Sequence, residues 1–390
     1  MDALATTLLT KLLAIGEKVS AGRRIRAASL TASALKRYSE SRNLLERESF
    51  EAAVRAAEDA GAVELEYEKG LGSDRAIVRI TLLQVDALAT FLGQPTRRST
   101  TARARASLAD WFEIFPVLES ILLRWESLYK VRGIGSERAM DWADAAAVIV
   151  HMKQDARVCE EDLPIREVSA KLFLDSKRIE QLTAPLDVLL SGDIDAEPRV
   201  ASDVWAELGL RREDQPVRLA GAVVVRRQRV TALLDTPYGA FSAPTVLGID
   251  GTPAFVLTIE NQTTFHSEAK RRADDNVLLI YTAGMPSPAW RAMYERLLAG
   301  LPFGTPILHW GDVDEGGFRI AANVAEAARR VGHVLQPYRM NPADVPDDRR
   351  RAATSGQAER MRAFAAKAGW AELAVVLAES EFTAEQEVLD

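Results

Sequence analysis

The sequence predicts a multidomain chain of α/β and α+β class, in which N-terminal winged-helix and helical modules are followed by a C-terminal domain built on a Rossmann-like parallel sheet. Three observations predict it. At 390 residues the chain exceeds one ordinary core and calls for two to four domains. Between Phe255 and Phe318 short apolar runs alternate with polar helical stretches, the pattern of βαβ units whose strands are buried on both faces. Before residue 200 the apolar residues recur at helical spacing, interrupted by one pair of alternating strands about a glycine loop.

In chain order, Leu8, Leu9, Leu12 and Leu13 mark an amphipathic helix from Ala3 to Glu17, and a second helix fits Ala32 to Ser39. A third opens at Ser49, read as its N-cap, runs through Ala60 and ends at Gly61 as a C-cap. Val63–Tyr67 and Ala76–Ile80 alternate as strands about the turn Gly70-Leu71-Gly72-Ser73-Asp74, which completes a helix, helix, hairpin layout of winged-helix type. Glu64 and Glu66 on that hairpin favour a protein partner over DNA there. Gly93 to Thr101 lacks periodicity and reads as a linker. From Ala106 to Val131 a helical block carries the stripe Trp111, Phe112, Phe115, Leu118, Ile121, Leu122, Trp125 and Leu128, a core or interface pattern. Trp142 to Leu190 forms a further helical unit with a helix-turn-helix about Leu174-Asp175-Ser176. Strand-like runs at 220–225 and 230–234, joined by Arg226 to Arg229, lead into the βαβ segment. Beyond it, Met340 to Thr354 reads as a surface loop and Gln357 to Leu377 as an alanine-rich helix.

Within the βαβ segment, the run Phe255–Ile259 ends on Glu260-Asn261, and the run Pro306–Trp310 ends on Gly311-Asp312-Val313-Asp314. Ligands of parallel sheets collect beyond the carboxyl ends of the strands, where Glu260 and Asp312 both fall. Asp312 and Asp314 are two apart, so in an extended segment they leave the same side of the backbone. Converging carboxylates repel unless a cation sits among them, and such hard oxygen donors suit Mg²⁺ or Mn²⁺, ions that activate water on phosphodiesters. The alternative is a helix N-cap plus a solvated acid. His309, inside its strand, reads as a satisfied buried imidazole; His266 could hydrogen-bond a phosphate or a carboxylate.

The segments Ile259-Glu260-Asn261-Gln262-Thr263-Thr264-Phe265, Tyr281-Thr282-Ala283-Gly284-Met285-Pro286-Ser287 and Gly311-Asp312-Val313-Asp314 resemble a Toprim domain, the metal-binding nuclease fold of topoisomerases and primases. More narrowly they resemble the JetD family, the nuclease subunit of the Wadjet plasmid-defence system, distantly similar to the A subunit of topoisomerase VI. The resemblance implies Glu260, Asp312 and Asp314 as catalytic metal ligands. It also implies a homodimer that cuts double-stranded, closed circular plasmid DNA with an SMC-like ATPase, its kleisin and a small winged-helix subunit. The expected domains are a winged-helix-like arm (1–95), a helical connector (96–135), a second winged-helix, CAP-like module (136–200) and a Toprim nuclease domain (201–390). Relatives of the topoisomerase VI type carry an attacking tyrosine in the second module, yet no tyrosine occurs between Tyr129 and Tyr238, which favours hydrolysis over a covalent adduct. A tyrosine transesterase and a noncatalytic DNA-binding adaptor remain the rival readings.

The formal net charge is −7, so contact with DNA must come from local patches. Those on offer are Arg23-Arg24-Ile25-Arg26, Arg97-Arg98 with Arg103 and Arg105, Arg226-Arg227-Gln228-Arg229, Lys270-Arg271-Arg272 and Arg349-Arg350-Arg351. Lys270, Arg271 and Arg272 with His266 are the DNA-binding candidates. The terminal acids of Glu385-Gln386-Glu387 read as solvated rather than as ligands of a second metal. The lone Cys159 excludes an internal disulfide framework and fits a cytoplasmic setting; too few cysteines and histidines occur for a structural zinc. No apolar run is long enough for a membrane span, and the start lacks the pattern of a signal peptide.

Overall fold

A computed structural model describes residues 2–23, 26–69, 75–159, 161–213, 215–378 and 382–384. The turn expected at Gly70–Asp74, the central Arg24-Ile25 of the first arginine run and the terminal Glu385-Gln386-Glu387 lie outside the described residues. The chain divides into two compact units, Met1–Ala143 and Asp144–Asp390.

The first unit runs α1 (Ala3–Ser20), β1 (Ser29–Leu30), α2 (Lys36–Ser39), α3 (Leu44–Asp59), β2 (Val63–Tyr67), β3 (Ile77–Leu82), α4 (Val85–Leu92), α5 (Arg97–Ser107) and α6 (Val117–Glu126), with α7 (Ala139–Gln154) crossing the division. Leu8, Leu9, Leu12 and Leu13 are buried against Phe50, Val54, Val63, Ile80 and Leu88, so the leucine stripe of α1 faces the small sheet and α3. That sheet has the order β1-β3-β2 and is antiparallel.

Local differences from the expectations have local causes. The third helix begins five residues before Ser49, because Asn43 caps it by accepting the Leu45 amide at 3.1 Å; Gly61 lies just past its end at φ +68°. The second helix is a single turn, Lys36–Ser39. The expected linker turns helical at Arg97, where the Thr96 hydroxyl accepts the Ser99 amide. Low hydrophobicity hid that helix, since its buried face consists of Thr100, Thr101 and Ala104. The block from Ala106 to Val131 is broken before Pro116, and α6 starts at Val117, with Phe115, Leu118, Ile121, Leu122 and Trp125 buried.

The second unit adds β4 (Leu163–Pro164), α8 (Ile165–Phe173), α9 (Arg178–Gln181), α10 (Thr183–Ser191), α11 (Ala201–Glu207), β5 (Leu210–Arg211), β6 (Val217–Ala220), β7 (Val224–Arg227), β8 (Thr231–Leu233), β9 (Gly239–Phe241) and β10 (Val246–Asp250). The expected turn between α8 and α9 is present. Leu174 adopts φ +55°, and the Ser169 hydroxyl ties the corner by donating to the Asp175 carbonyl and accepting the Ile179 amide.

The remaining elements are β11 (Val256–Ile259), α12 (Gln262–Arg271), β12 (Leu278–Tyr281), α13 (Pro288–Ala299), β13 (Ile307–Trp310), α14 (Glu315–Arg330), β14 (Leu335–Pro337), β15 (Arg351–Ala352), α15 (Ser355–Ala368), α16 (Ala371–Ala378) and β16 (Phe382–Thr383). The single helix expected at the end is split in two by Gly369 at φ +90°. The main sheet has the order β14-β13-β11-β12-β6-β9; its first four strands are parallel, and β6 and β9 run antiparallel to their neighbours. All four residues of β11 are buried, as a central parallel strand requires. A separate antiparallel sheet, β10-β7-β8, joins the same core.

Candidate active site

The parallel register sets the site. Ile259 lies opposite Trp310 on one side and Tyr281 on the other, so the next residues, Glu260, Gly311 and Thr282, emerge together at the carboxyl edge of the three central strands. The Glu260 amide still donates to the Trp310 carbonyl at 3.0 Å, and the Thr282 amide to that of Ile259 at 3.0 Å. Two helices begin at this edge. Asn261 caps α12 by accepting the Thr263 amide at 2.7 Å, and Asp314 caps α14 by accepting the Gly317 amide at 2.7 Å. Helix N-termini carry partial positive charge, which favours acids at both places.

Glu260 reaches toward the Asp-x-Asp loop, and its Oε2 accepts the Asp312 amide at 3.3 Å. Two glycines make that approach possible. A Cβ on Gly311 would lie 2.7 Å from Glu260 Oε2, and one on Gly317 only 2.1 Å from the Asp312 carbonyl oxygen. The loop is also held from outside, because Val313 and Ala384 exchange backbone hydrogen bonds of 2.8 and 2.9 Å.

Burial pushes the Glu260 carboxyl well above the usual range, and the charges of Asp312, Asp314 and Asp203 push it further. Asp314 is raised chiefly by burial, then by Glu197 and Glu315, against the amides of Gly317 and Gly316 that lower it. Glu315, next in the sequence, is committed elsewhere: it is buried and faces Arg319 and Arg360, the latter at 2.8 Å. Among the described residues no three such side chains are yet gathered around a common point, since Asp314 is turned onto its helix and Glu260 onto the Asp312 amide. The chemistry of the set nevertheless fits a hard divalent cation: the donors are carboxylate oxygens only, and the electrostatic strain on Glu260 is of the kind a cation relieves.

Asp203 is the acid that sequence reasoning missed. It sits on α11, its carboxyl is raised mainly by burial, and its Oδ1 lies 3.5 Å from the Met285 amide in the loop after β12. That loop bends through Ala283 at φ +59° and Gly284 at φ +79°, and a Cβ on Gly284 would come within 2.6 Å of Asp203 Oδ1. A lone aspartate 57 residues before Glu260, on a seven-residue helix, leaves no motif to find.

The histidines differ from each other. His309 is buried with Nδ1 2.8 Å from the Thr258 hydroxyl, but among the described residues Nε2 has no hydrogen-bond partner, so the imidazole is only half satisfied there. Burial lowers it to about 3, which keeps it neutral. Nε2 and Glu260 Oε2 both border the space a Gly311 side chain would fill. His266 is half-buried, stacked on Tyr238 at 5.2 Å, and its pKa is lowered by burial, Arg218 and Lys270. In the basic run, Arg271 and Arg272 both turn onto the buried Glu268, with Nε contacts at 2.7 and 2.8 Å, while Lys270 is exposed.

Fold and site together define a protein with a mixed α/β domain that gathers acidic residues at the carboxyl ends of parallel strands. The C-terminal region of the chain belongs to the JetD family: residues 218–389 match the family described as "Wadjet protein JetD, C-terminal", and residues 23–191 match "Uncharacterized protein conserved in bacteria N-term". No curated protein matches the chain.

Proposed function

We propose that this chain is the metal-dependent DNA endonuclease subunit of a Wadjet system, with a Toprim nuclease domain that hydrolyses phosphodiesters of closed circular plasmid DNA. The observation that carries the reading is the juxtaposition of Glu260 with Asp312 across adjacent parallel strands, with Asp314 two residues on. Glu260, Asp312 and Asp314 would hold Mg²⁺ or Mn²⁺, and the bound ion supplies an activated water and charge stabilisation at the phosphate. The protein's part is positional. The sheet edge fixes Glu260 and Asp312 against each other, the α14 terminus orients Asp314, and the buried surroundings keep charges strong by excluding solvent.

Hydrolysis is preferred to tyrosine transesterification. Tyr281, a tyrosine at this edge, has its hydroxyl pushed up by burial, opposed by Arg218 and reinforced by Glu260 and Asp203. A nucleophile needs the opposite shift. In this reading the protein acts in the cytoplasm as a homodimer, the winged-helix modules contact partners or DNA, and an SMC-like ATPase with its kleisin and small winged-helix subunit delivers the plasmid.

The test is incubation with supercoiled and linear plasmid, with Mn²⁺ or EDTA, alone and with those partners. Cleavage that requires the cation and disappears in Glu260→Gln is expected. Unchanged cleavage in that variant rules out the assignment, and a tyrosine trapped on DNA would move the protein to the transesterase class.

A further inference from the structure

Next to the acids, along the same sheet edge, lies an arginine walled by aromatic rings that no motif announced. Leu219 of β6 pairs with Ile280 of β12, which sets Arg218 beside Tyr281, and Tyr281 in turn is the β12 residue opposite Ile259. Two strand spacings, about 10 Å, therefore separate the Arg218 backbone from that of Glu260. The Arg218 guanidinium lies over the rings of Tyr281 and Tyr238, 5.2 and 5.8 Å from their centroids, and Nη1 donates to His266 Nε2 at 3.4 Å. Tyr238 and His266 are stacked nearly parallel, 4° apart, so one side of the guanidinium is walled by aromatic rings.

Arg218 differs in its company from many arginines of this unit: the half-buried Arg178, Arg199, Arg211, Arg272 and Arg360 each face a carboxylate, and Arg296 donates to the Val246 and Ala243 carbonyls. Among the described residues Arg218 faces no carboxylate, and its hydrogen-bond partner is an imidazole whose protonation it disfavours. A guanidinium has five donors in a planar fork that matches phosphate oxygens, and here the ring contacts fix the plane while leaving donors unused.

We propose that Arg218, seated by Tyr281 and Tyr238 and flanked by His266, binds a backbone phosphate of the DNA strand and so sets its register over the carboxylates. The proposal rests on the nuclease reading and adds a binding residue to it.

The experiment measures anisotropy of a short fluorescent DNA duplex bound to the full chain in EDTA over a series of salt concentrations, with plasmid cleavage in Mn²⁺ followed in parallel. Arg218→Gln should weaken binding about 10-fold and lower the salt slope by about one, while Arg218→Lys restores the slope and part of the affinity. Glu260→Gln should bind as well as the natural chain. Unchanged affinity and slope in Arg218→Gln, or a natural chain that does not bind the duplex, overturns the subsite. If Arg218→Gln melts early, Arg218→Lys decides: weaker binding at an unchanged slope supports the fork contact, and unchanged affinity overturns it. A natural chain that binds through Arg218 but leaves plasmid intact in Mn²⁺ with its partners counts against the nuclease reading, not against the subsite.

Discussion

At the scale of single residues, Asp314 does two jobs that substitution can separate. As a cap it accepts the Gly317 amide, and in the proposed function its carboxylate is one of the three that would hold the cation. Asparagine is as good a cap as aspartate, whereas alanine costs about 1 kcal/mol. Asp314→Asn should therefore leave thermal unfolding nearly unchanged, Asp314→Ala should lower it, and both should lose cation-dependent cleavage; retention of cleavage by Asp314→Asn would leave only the cap. Glu260 gives a pH dependence. Its folded pKa is raised above the unfolded value near 4.3, so between the two the folded state holds more protons. In the absence of divalent ions, stability should fall as pH rises from about 4.3 through the raised folded value. Thermal melts across that range should show the slope in the natural chain and lack it in Glu260→Gln. Both acids were legible in the sequence because each ends an apolar run. Asp203 was not, because tertiary folding alone brings α11 to the loop at Gly284.

At the scale of elements, the edge depends on two close approaches. Gly317→Ala would drive a Cβ into the Asp312 carbonyl, a backbone atom that cannot swing aside, and should cost about 2–3 kcal/mol in chemical unfolding. Gly311→Ala meets the far end of the Glu260 side chain at 2.7 Å, which can move, and His309 Nε2 at 3.0 Å, which must give by only a few tenths of an ångström; the fold should survive while cleavage drops about 100-fold, since a displacement near 1 Å carries that penalty. Equal loss of stability in the two variants would contradict this division. The strand-helix alternation from β11 to β14 was readable because buried parallel strands are short and apolar throughout. The helix α5 escaped because Thr and Ala form its buried face, and α3 was started late because its cap is Asn43 rather than Ser49. Strand order was beyond the sequence, and with it the place of Arg218 beside Tyr281, which an antiparallel neighbour supplies.

At the scale of the whole molecule, a net charge of −7 coexists with arginine runs that are partly answered by acids: Arg97 by Glu137, Arg105 by Glu119, Arg226 by Asp250, Arg350 by Asp347, and Arg271 and Arg272 by Glu268. Runs of like charge in a sequence do not reveal which carboxylates fold onto them. Of the run at the C-terminal end of α12, Lys270 is therefore the residue whose neutralisation should lower the salt slope of DNA binding by about one, whereas Arg272→Gln should act mainly on stability by leaving Glu268 buried without a full partner. A larger slope change in Arg272→Gln than in Lys270→Gln would reverse that assignment. The central claim is that Glu260, Asp312 and Asp314 hold a divalent cation at the sheet edge. Titration of Mn²⁺ into the full chain, with free ion read by electron paramagnetic resonance, tests it most directly. A site present in the natural chain and lost in Glu260→Gln and Asp312→Asn is the predicted result; equal Mn²⁺ binding by all three proteins would contradict it.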